Sequence, residues 1–103
     1  MDKLSMRVYL SDLETRIDTM LKKWKKESRI ENGEAVQVEW QFEQAHVIID
    51  VFWEDLGERI ILHCFSPRFS MKQDWAGLNA QTAVKVMDRV GNFVQIAMGK
   101  QRR

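Results

Sequence analysis

Residues 35–65 read AVQVEWQFEQAHVIIDVFWEDLGERIILHCF, and this stretch decides the fold. Apolar and polar residues alternate in it with a period of two, which is the pattern of half-buried β-strands. Breaks in the pattern fall at 43–44 and 55–58, and Pro67 stops the last run because proline interrupts a strand ladder. The stretch therefore predicts three antiparallel strands at 35–43, 45–54 and 59–65.

The pairing of these strands follows from the need to collect apolar side chains on one face. Closing the first hairpin at Phe42 and Ala45, and placing Glu54 opposite Arg59, achieves this. The resulting core face contains Val36, Val38, Trp40, Val47, Ile49, Val51, Trp53, Ile60, Leu62 and Cys64. On the other face the same register predicts three cross-strand pairs, which are Phe52 with Ile61, Asp50 with His63, and Ile48 with Phe65.

Two helices are predicted around the strands. Ser11 and Glu14 have the spacing of a capping box, and apolar residues follow them at helical intervals from Leu13 to Trp24. A helix is therefore expected over 12–27. A second helix is expected over 79–98 with Gly99 as its C-terminal cap. Residues 66–78 are predicted to be irregular, and Met6–Leu10 could add a short strand. The fold class is α+β, in the order α-β-β-β-α, with a three-stranded antiparallel meander and both helices on one face.

Composition is that of one ordinary globular domain. The chain has 103 residues, 45% apolar and 30% charged, and we assign 1–99 to a single domain and 100–103 to a flexible basic tail. No apolar run reaches the length of a membrane span, and the N-terminus lacks the pattern of a secretory signal. Cys64 is the only cysteine, which excludes an internal disulfide. We expect a cytoplasmic protein.

Charge is distributed unevenly, although the net charge is only +1. Residues 31–58 hold eight acidic residues and no Lys or Arg, while the segments on both sides are basic. A net charge near zero gives no argument for or against a polyanionic partner, but the acidic strands would repel phosphates.

Catalytic and metal sites are not predicted. An Asp50–His63 pair could orient an imidazole as a general base, but a flat sheet face supplies neither a nucleophile nor a pocket. Cys64 falls on the opposite face. His46 and Asp50 are four strand residues apart, about 13 Å, which is too far for a shared metal ion. We expect no enzyme activity, no cofactor, no metal and no small-molecule substrate.

Nucleic-acid binding is the alternative function. The element order alone resembles that of double-stranded-RNA-binding domains, and basic residues cluster at the end of the first helix and in the tail. Those domains carry a cluster of lysines at the start of their second helix, where this chain has only Lys85 and Arg89. We therefore do not assign the chain to that family. The residues that would carry this function are Lys22, Lys23, Lys25, Lys26, Arg102 and Arg103.

The preferred prediction is a protein-interaction module of the adaptor, inhibitor or regulator type, self-associating through its sheet face or second helix. Contiguous apolar surface with a polar rim is typical of interaction sites. The predicted interface consists of Ile48, Phe52, Ile61, Phe65, His46, His63 and Asp50. Cover of this sheet face by the chain itself, through Tyr9, Phe69 or Trp75, is an equally favoured alternative.

Overall fold

A computed structural model describes residues 3–33, 35–54 and 57–98. These residues form two helices and five strands in the order α1-β1-β2-β3-β4-β5-α2. Their bounds are α1 Lys3–Met20, β1 Lys25–Glu31, β2 Ala35–Phe42, β3 Ala45–Glu54, β4 Gly57–Ser66, β5 Phe69–Ala76 and α2 Ala80–Met98. Each strand pairs antiparallel with the next, so the sheet order equals the chain order. The α+β class is confirmed, whereas the prediction of three strands falls short by two.

The first helix begins earlier and ends earlier than the predicted 12–27. Residues 6–10 are helical and form no strand, and Ser11 lies in the middle of α1, where its carbonyl accepts a hydrogen bond from Thr15 Oγ1 at 2.9 Å. The capping-box prediction was therefore wrong. Leu10 extends the buried stripe of Leu13 and Ile17 by one turn toward the N-terminus, which favours one continuous helix.

The last residues of the predicted first helix, 25–27, belong instead to the edge strand β1, and the residues before them form a turn. This strand is mostly exposed, and its side chains contribute little to the core. Its inward-facing Lys26 and Arg29 instead bond the carboxylate of Glu14 on α1. An ionic contact between α1 and β1 therefore replaces the usual apolar one. Because the sequence KKESRIE lacks the alternation of apolar and polar residues that is typical of a strand, β1 was not predicted.

The segment 66–78, predicted to be irregular, contains β5. Partly buried Phe69, Met71 and Trp75 alternate with exposed residues along this strand. Pro67 occupies the turn between β4 and β5, where a strand ladder needs no N–H group from it. Proline therefore marks the end of a hairpin arm rather than the end of the sheet.

The predicted register is right for the first hairpin and shifted for the second. Trp40 pairs with Val47, and Val38 with Ile49, as expected. In the second hairpin Glu54 pairs with Gly57 and not with Arg59, which moves every β3–β4 pair by two residues. Because side chains alternate with a period of two, this shift preserves both faces. The pairs Phe52–Ile61, Asp50–His63 and Ile48–Phe65 are not formed.

The second helix agrees with the prediction to within one residue. Asn79 precedes α2, and its Oδ1 accepts hydrogen bonds from the N–H groups of Gln81 (2.9 Å) and Thr82 (3.0 Å). This is the N-cap arrangement. The predicted cap Gly99 and the tail 100–103 lie outside the described residues.

Both helices pack on one face of the sheet, here named the inner face. All ten predicted core-face residues of β2–β4 are buried there. The helices add Leu10, Leu13, Ile17, Ala83, Val86, Val90 and Phe93. Leu21 in the turn after α1, Ala45 on β3 and Leu78 before α2 complete the cluster. The two inner-face indoles also have polar partners, since Trp40 Nε1 donates to Asp18 at 2.9 Å and Trp53 Nε1 to the Gly33 carbonyl at 2.9 Å.

Candidate interaction surface

The sheet face opposite the helices, here named the outer face, is half-exposed along β2, β3 and β4. Three aromatic residues that could have covered it, Tyr9, Phe69 and Trp75, pack against the core cluster instead. Cover of the outer face by these side chains was therefore a wrong alternative. Within 3–33, 35–54 and 57–98, both helices contribute their buried residues to the inner face.

Four apolar side chains form a zigzag on the outer face, here named the apolar stripe. It runs through Phe52, Ile61, Ile48 and Phe65, alternating between β3 and β4. Successive members are diagonal neighbours, about 7–8 Å apart, a distance that aromatic and long aliphatic side chains can span. The register therefore replaces the solid block predicted from the sequence by a narrower stripe along the centre of the five-stranded sheet.

Polar residues interleave with the apolar stripe, and three hydrogen bonds engage them away from it. Asp50 on β3 accepts a hydrogen bond from Gln37 Nε2 on β2 at 2.8 Å. His46 Nδ1, also on β3, lies 2.8 Å from Glu39 Oε2 on β2. On the other side, Arg59 bonds Asp74 on β5. Asp50, His46 and Arg59 are thus held toward the flanking strands β2 and β5, which leaves the stripe apolar along its axis.

The two predicted interface histidines contact the end of the apolar stripe. The ring of His46 stacks on Phe65 with centroids 4.5 Å apart, and His63 is tilted against the same ring at 4.8 Å. In the β3–β4 ladder His63 faces Ile48, and Asp50 faces Ile61. The structure therefore brings both histidines to the stripe, but it does not assemble the Asp50–His63 pair considered as a general base.

Cys64 lies on the inner face, as expected from the alternation. It is fully buried, and burial raises the pKa of its thiol to about 12. A thiol with such a pKa is protonated at neutral pH, so it is a poor nucleophile and metal ligand. Among the described residues no three His, Cys, Asp or Glu side chains are grouped so that they could hold a metal ion.

The residues of the nucleic-acid alternative do not form one basic helix end. Lys22 and Lys23 are exposed in the turn after α1, and Lys25 Nζ on β1 lies 3.6 Å from Glu27. Arg102 and Arg103 are outside the described residues. The predicted cluster is thus divided between a turn and a strand.

Lys26, the fourth lysine of that cluster, belongs to the ionic contact between α1 and β1. Its ammonium group bonds Glu14, and it lies 3.3 Å from Asp18. Burial alone would lower the pKa of Lys26, but the hydrogen bonds to these two carboxylates outweigh burial and raise the pKa. Lys26 is therefore occupied within the fold.

Two clefts also lie on the surface of the described residues. An open cleft of about 800 Å³ lies between the β2–β3 turn, the β4–β5 turn and the end of α2. Arg68 lines it beside Phe42, Phe69 and Met98. A groove of about 400 Å³ lies between α1 and α2, next to Thr19 and Met87. Neither lining contains a buried charged side chain, so neither cleft presents convergent polar groups for a small molecule.

Asp74 on β5 was missed as part of this surface, because residues 66–78 were predicted to be irregular. Gln37, Glu39 and Asp74 hold the polar neighbours of the apolar stripe in place. The alternation in 35–43 places Gln37 and Glu39 on the outer face, but their hydrogen-bond partners are known only from the structure.

Comparison with protein-family models, curated proteins and solved structures found no match for this chain. In the described part of the chain, neither helix combines the length and the apolar character that crossing a membrane requires.

Proposed function

We propose that this protein is a small non-enzymatic interaction module that binds another protein through the outer face of its sheet. The observation that supports the proposal is the apolar stripe at the centre of an otherwise polar face, where Asp50, His46 and Arg59 are already hydrogen-bonded to flanking strands. A partner that covers the stripe would not need to break these polar contacts. An adaptor, inhibitor or regulator in the cytoplasm would use such a surface.

The size of the face predicts the strength of binding. Five strands of about eight residues cover about 24 Å by 26 Å, or roughly 600 Å². A standard protein–protein interface uses about 800 Å² on each partner. One outer face therefore supports a weak or transient complex, and a tighter complex would require additional surface. The exposed apolar residues of α2, Val84 and Ile96, are twelve positions apart, about 18 Å along the helix, and form no comparable patch.

An enzyme is the weaker alternative. Asp50 is hydrogen-bonded to Gln37 rather than to an imidazole, and Cys64 is buried on the opposite face. Nucleic-acid binding also remains an alternative, through exposed Lys22 and Lys23. No contact of the described residues favours it, since Lys26 is already engaged by two carboxylates.

Affinity capture with matched variants tests the proposal. Phe52→Glu places a charge in the apolar stripe, and Val84→Glu places the same charge at an exposed position of α2. Both variants should fold, and only Phe52→Glu should lose proteins that wild-type protein and Val84→Glu both retain after nuclease treatment. Retention of the same proteins by all three forms would contradict the proposal. Bound material that disappears on nuclease treatment would favour the nucleic-acid alternative.

A further inference from the structure

The open edge of the sheet at β5 presents a row of backbone groups. Within the described residues 3–33, 35–54 and 57–98, β5 pairs only with β4. The N–H of Gly77 donates to the carbonyl of Glu58 at 2.9 Å, which fixes the alternation of the ladder. Because antiparallel strands direct alternate residues toward opposite neighbours, the even-numbered residues of β5 direct their N–H and C=O groups outward. These residues are Ser70, Lys72, Asp74 and Ala76.

The two edges of the sheet are not equivalent. β1 has an irregularity between Lys26 and Ser28, and five of its seven residues are charged. Bulges and charges are the features that protect edge strands from pairing with another chain. The β4–β5 register is continuous from Ser66–Phe69 to Arg59–Ala76, with no such irregularity. The β5 edge is therefore the one that can accept another strand.

The sequence of β5 is complementary to itself in antiparallel orientation. A two-fold axis at Gln73 places Lys72 opposite the partner's Asp74, and the partner's Lys72 opposite Asp74. On the inner side the same register places Met71 beside the partner's Trp75, and both side chains are only partly buried in the single chain. Opposite charges and apolar pairs are the cross-strand neighbours that stabilise a sheet.

The backbone alternation fits the same register. A two-fold at Gln73 makes Lys72 and the partner's Asp74 a hydrogen-bonded pair, and these are the residues whose backbone groups point outward. Pairing of Ser70 with the partner's Ala76 completes about eight hydrogen bonds across the two-fold. A register shifted by one residue would bring inward-directed groups to the contact.

We infer that the protein forms a homodimer in which β5 pairs antiparallel with β5 of a second copy, giving a continuous ten-stranded sheet. This dimer places two outer faces side by side, roughly 1,200 Å² together, which exceeds the area of a standard binding surface. The inference rests on the β5 edge and is independent of what binds the apolar stripe.

Sedimentation equilibrium with a charge swap tests the dimer. The wild-type chain of 12.2 kDa should sediment with twice that mass at about 100 µM. Lys72→Glu and Asp74→Lys each place like charges opposite one another on both sides of the two-fold, so each should weaken dimerisation about tenfold or more. Lys72→Glu is the cleaner of the two, because Asp74→Lys also removes the bond to Arg59 of the same chain. The double variant Lys72→Glu/Asp74→Lys restores opposite charges and should restore the dimer. A monomeric wild type, or single variants that dimerise as well as wild type, would overturn the inference.

A proline pair tests the backbone pairing without relying on charge. Lys72→Pro removes an outward N–H and should give a folded monomer, since proline is tolerated on the free side of an edge strand. Gln73→Pro is the control, because it removes an N–H directed to β4 and should destabilise the fold itself. Amide exchange should show concentration-dependent protection at Lys72 and Asp74. A dimer that persists in every β5 variant but is lost in Phe52→Glu would assign dimerisation to the outer face and overturn the β5 inference.

Discussion

The carboxylate of Asp50 on β3 accepts a hydrogen bond from Gln37 on β2 at 2.8 Å. This bond lies on the side of β3 away from Ile61, which faces Asp50 from β4. This contact allows an acidic residue to sit in the middle of an apolar stripe without interrupting it. It also explains why the outer face has a defined apolar axis, although half of its central positions are polar.

Ile49 tests the core. It is 1% exposed, at the centre of the inner face, so Ile49→Ala should lower the free energy of unfolding by about 2–5 kcal/mol. Ile30→Ala is the control, because Ile30 on β1 is 59% exposed and its truncation should change stability by less than about 0.5 kcal/mol. Urea melts measure both. Equal effects of the two substitutions would show that the faces are assigned incorrectly.

Gly91 tests the contact between the helices. It lies inside α2, where a glycine is less favourable than alanine by about 1 kcal/mol. A Cβ atom at this position would lie 4.0 Å from the Met20 methyl group, an ordinary contact distance. Gly91→Ala should therefore stabilise the protein by about 0.5–1 kcal/mol in thermal or urea melts. A destabilised variant would mean that α1 and α2 are closer than described.

Glu31 predicts how stability depends on pH. Hydrogen bonds from Arg7 and then Arg29 lower the pKa of its carboxylate below the ordinary 4.5. A pKa that is lower in the folded state stabilises the fold above the unfolded-state pKa, and this contribution is lost as the pH falls through the folded-state pKa. Acidification below about pH 4.5 should therefore loosen the contact between α1 and β1.

Melts of Glu31→Gln between about pH 6 and pH 3 measure this effect. The variant should be less stable than wild type at the upper end, and the difference should vanish at the lower end. Asp12→Asn is the control: Asp12 pairs with Arg16 on the α1 surface at 3.0 Å, and the variant retains all Glu31 contacts. It should keep the wild-type slope. A pH-independent difference for Glu31→Gln would contradict the prediction.

Cys64 should report global unfolding. Its thiol is fully buried with a pKa of about 12, so thiol reagents should not label the native protein at about pH 8. In denaturant the single cysteine should react completely. The labelling rate at low denaturant should follow the unfolding equilibrium measured by melts. Rapid labelling of the native protein would show that β4 opens locally or that Cys64 faces solvent.

The sequence predicted the α+β class, the three central strands, the second helix and the division of side chains between the two faces. Alternation in 35–65 is strong because these strands pack against a core on one side. The edge strands were missed for a physical reason. β1 is docked by ionic contacts of Lys26 and Arg29, and β5 is only half-covered by α2, so neither has the hydrophobicity pattern of a central strand.

The register of the second hairpin could not be predicted from alternation. A shift by two residues leaves every side chain on its face, so the predicted and observed registers bury the same core. The connection decides between them, since closing at Glu54 and Gly57 leaves two intervening residues, the commonest hairpin length. The alternation therefore predicted which residues lie on the outer face. It did not predict which of them face one another across β3 and β4, and the apolar stripe follows from that pairing.

Site-specific photo-crosslinking tests the proposed docking surface most directly. A photoreactive phenylalanine analogue replaces Ile61 in the apolar stripe or, as a control, Val84 on α2, and each protein is irradiated in native lysate. We expect a discrete protein adduct from position 61 that is absent from position 84 and is lost when Phe52→Glu is added. No adduct from position 61, or the same adducts from both positions, would contradict the assignment of the outer face as the binding surface.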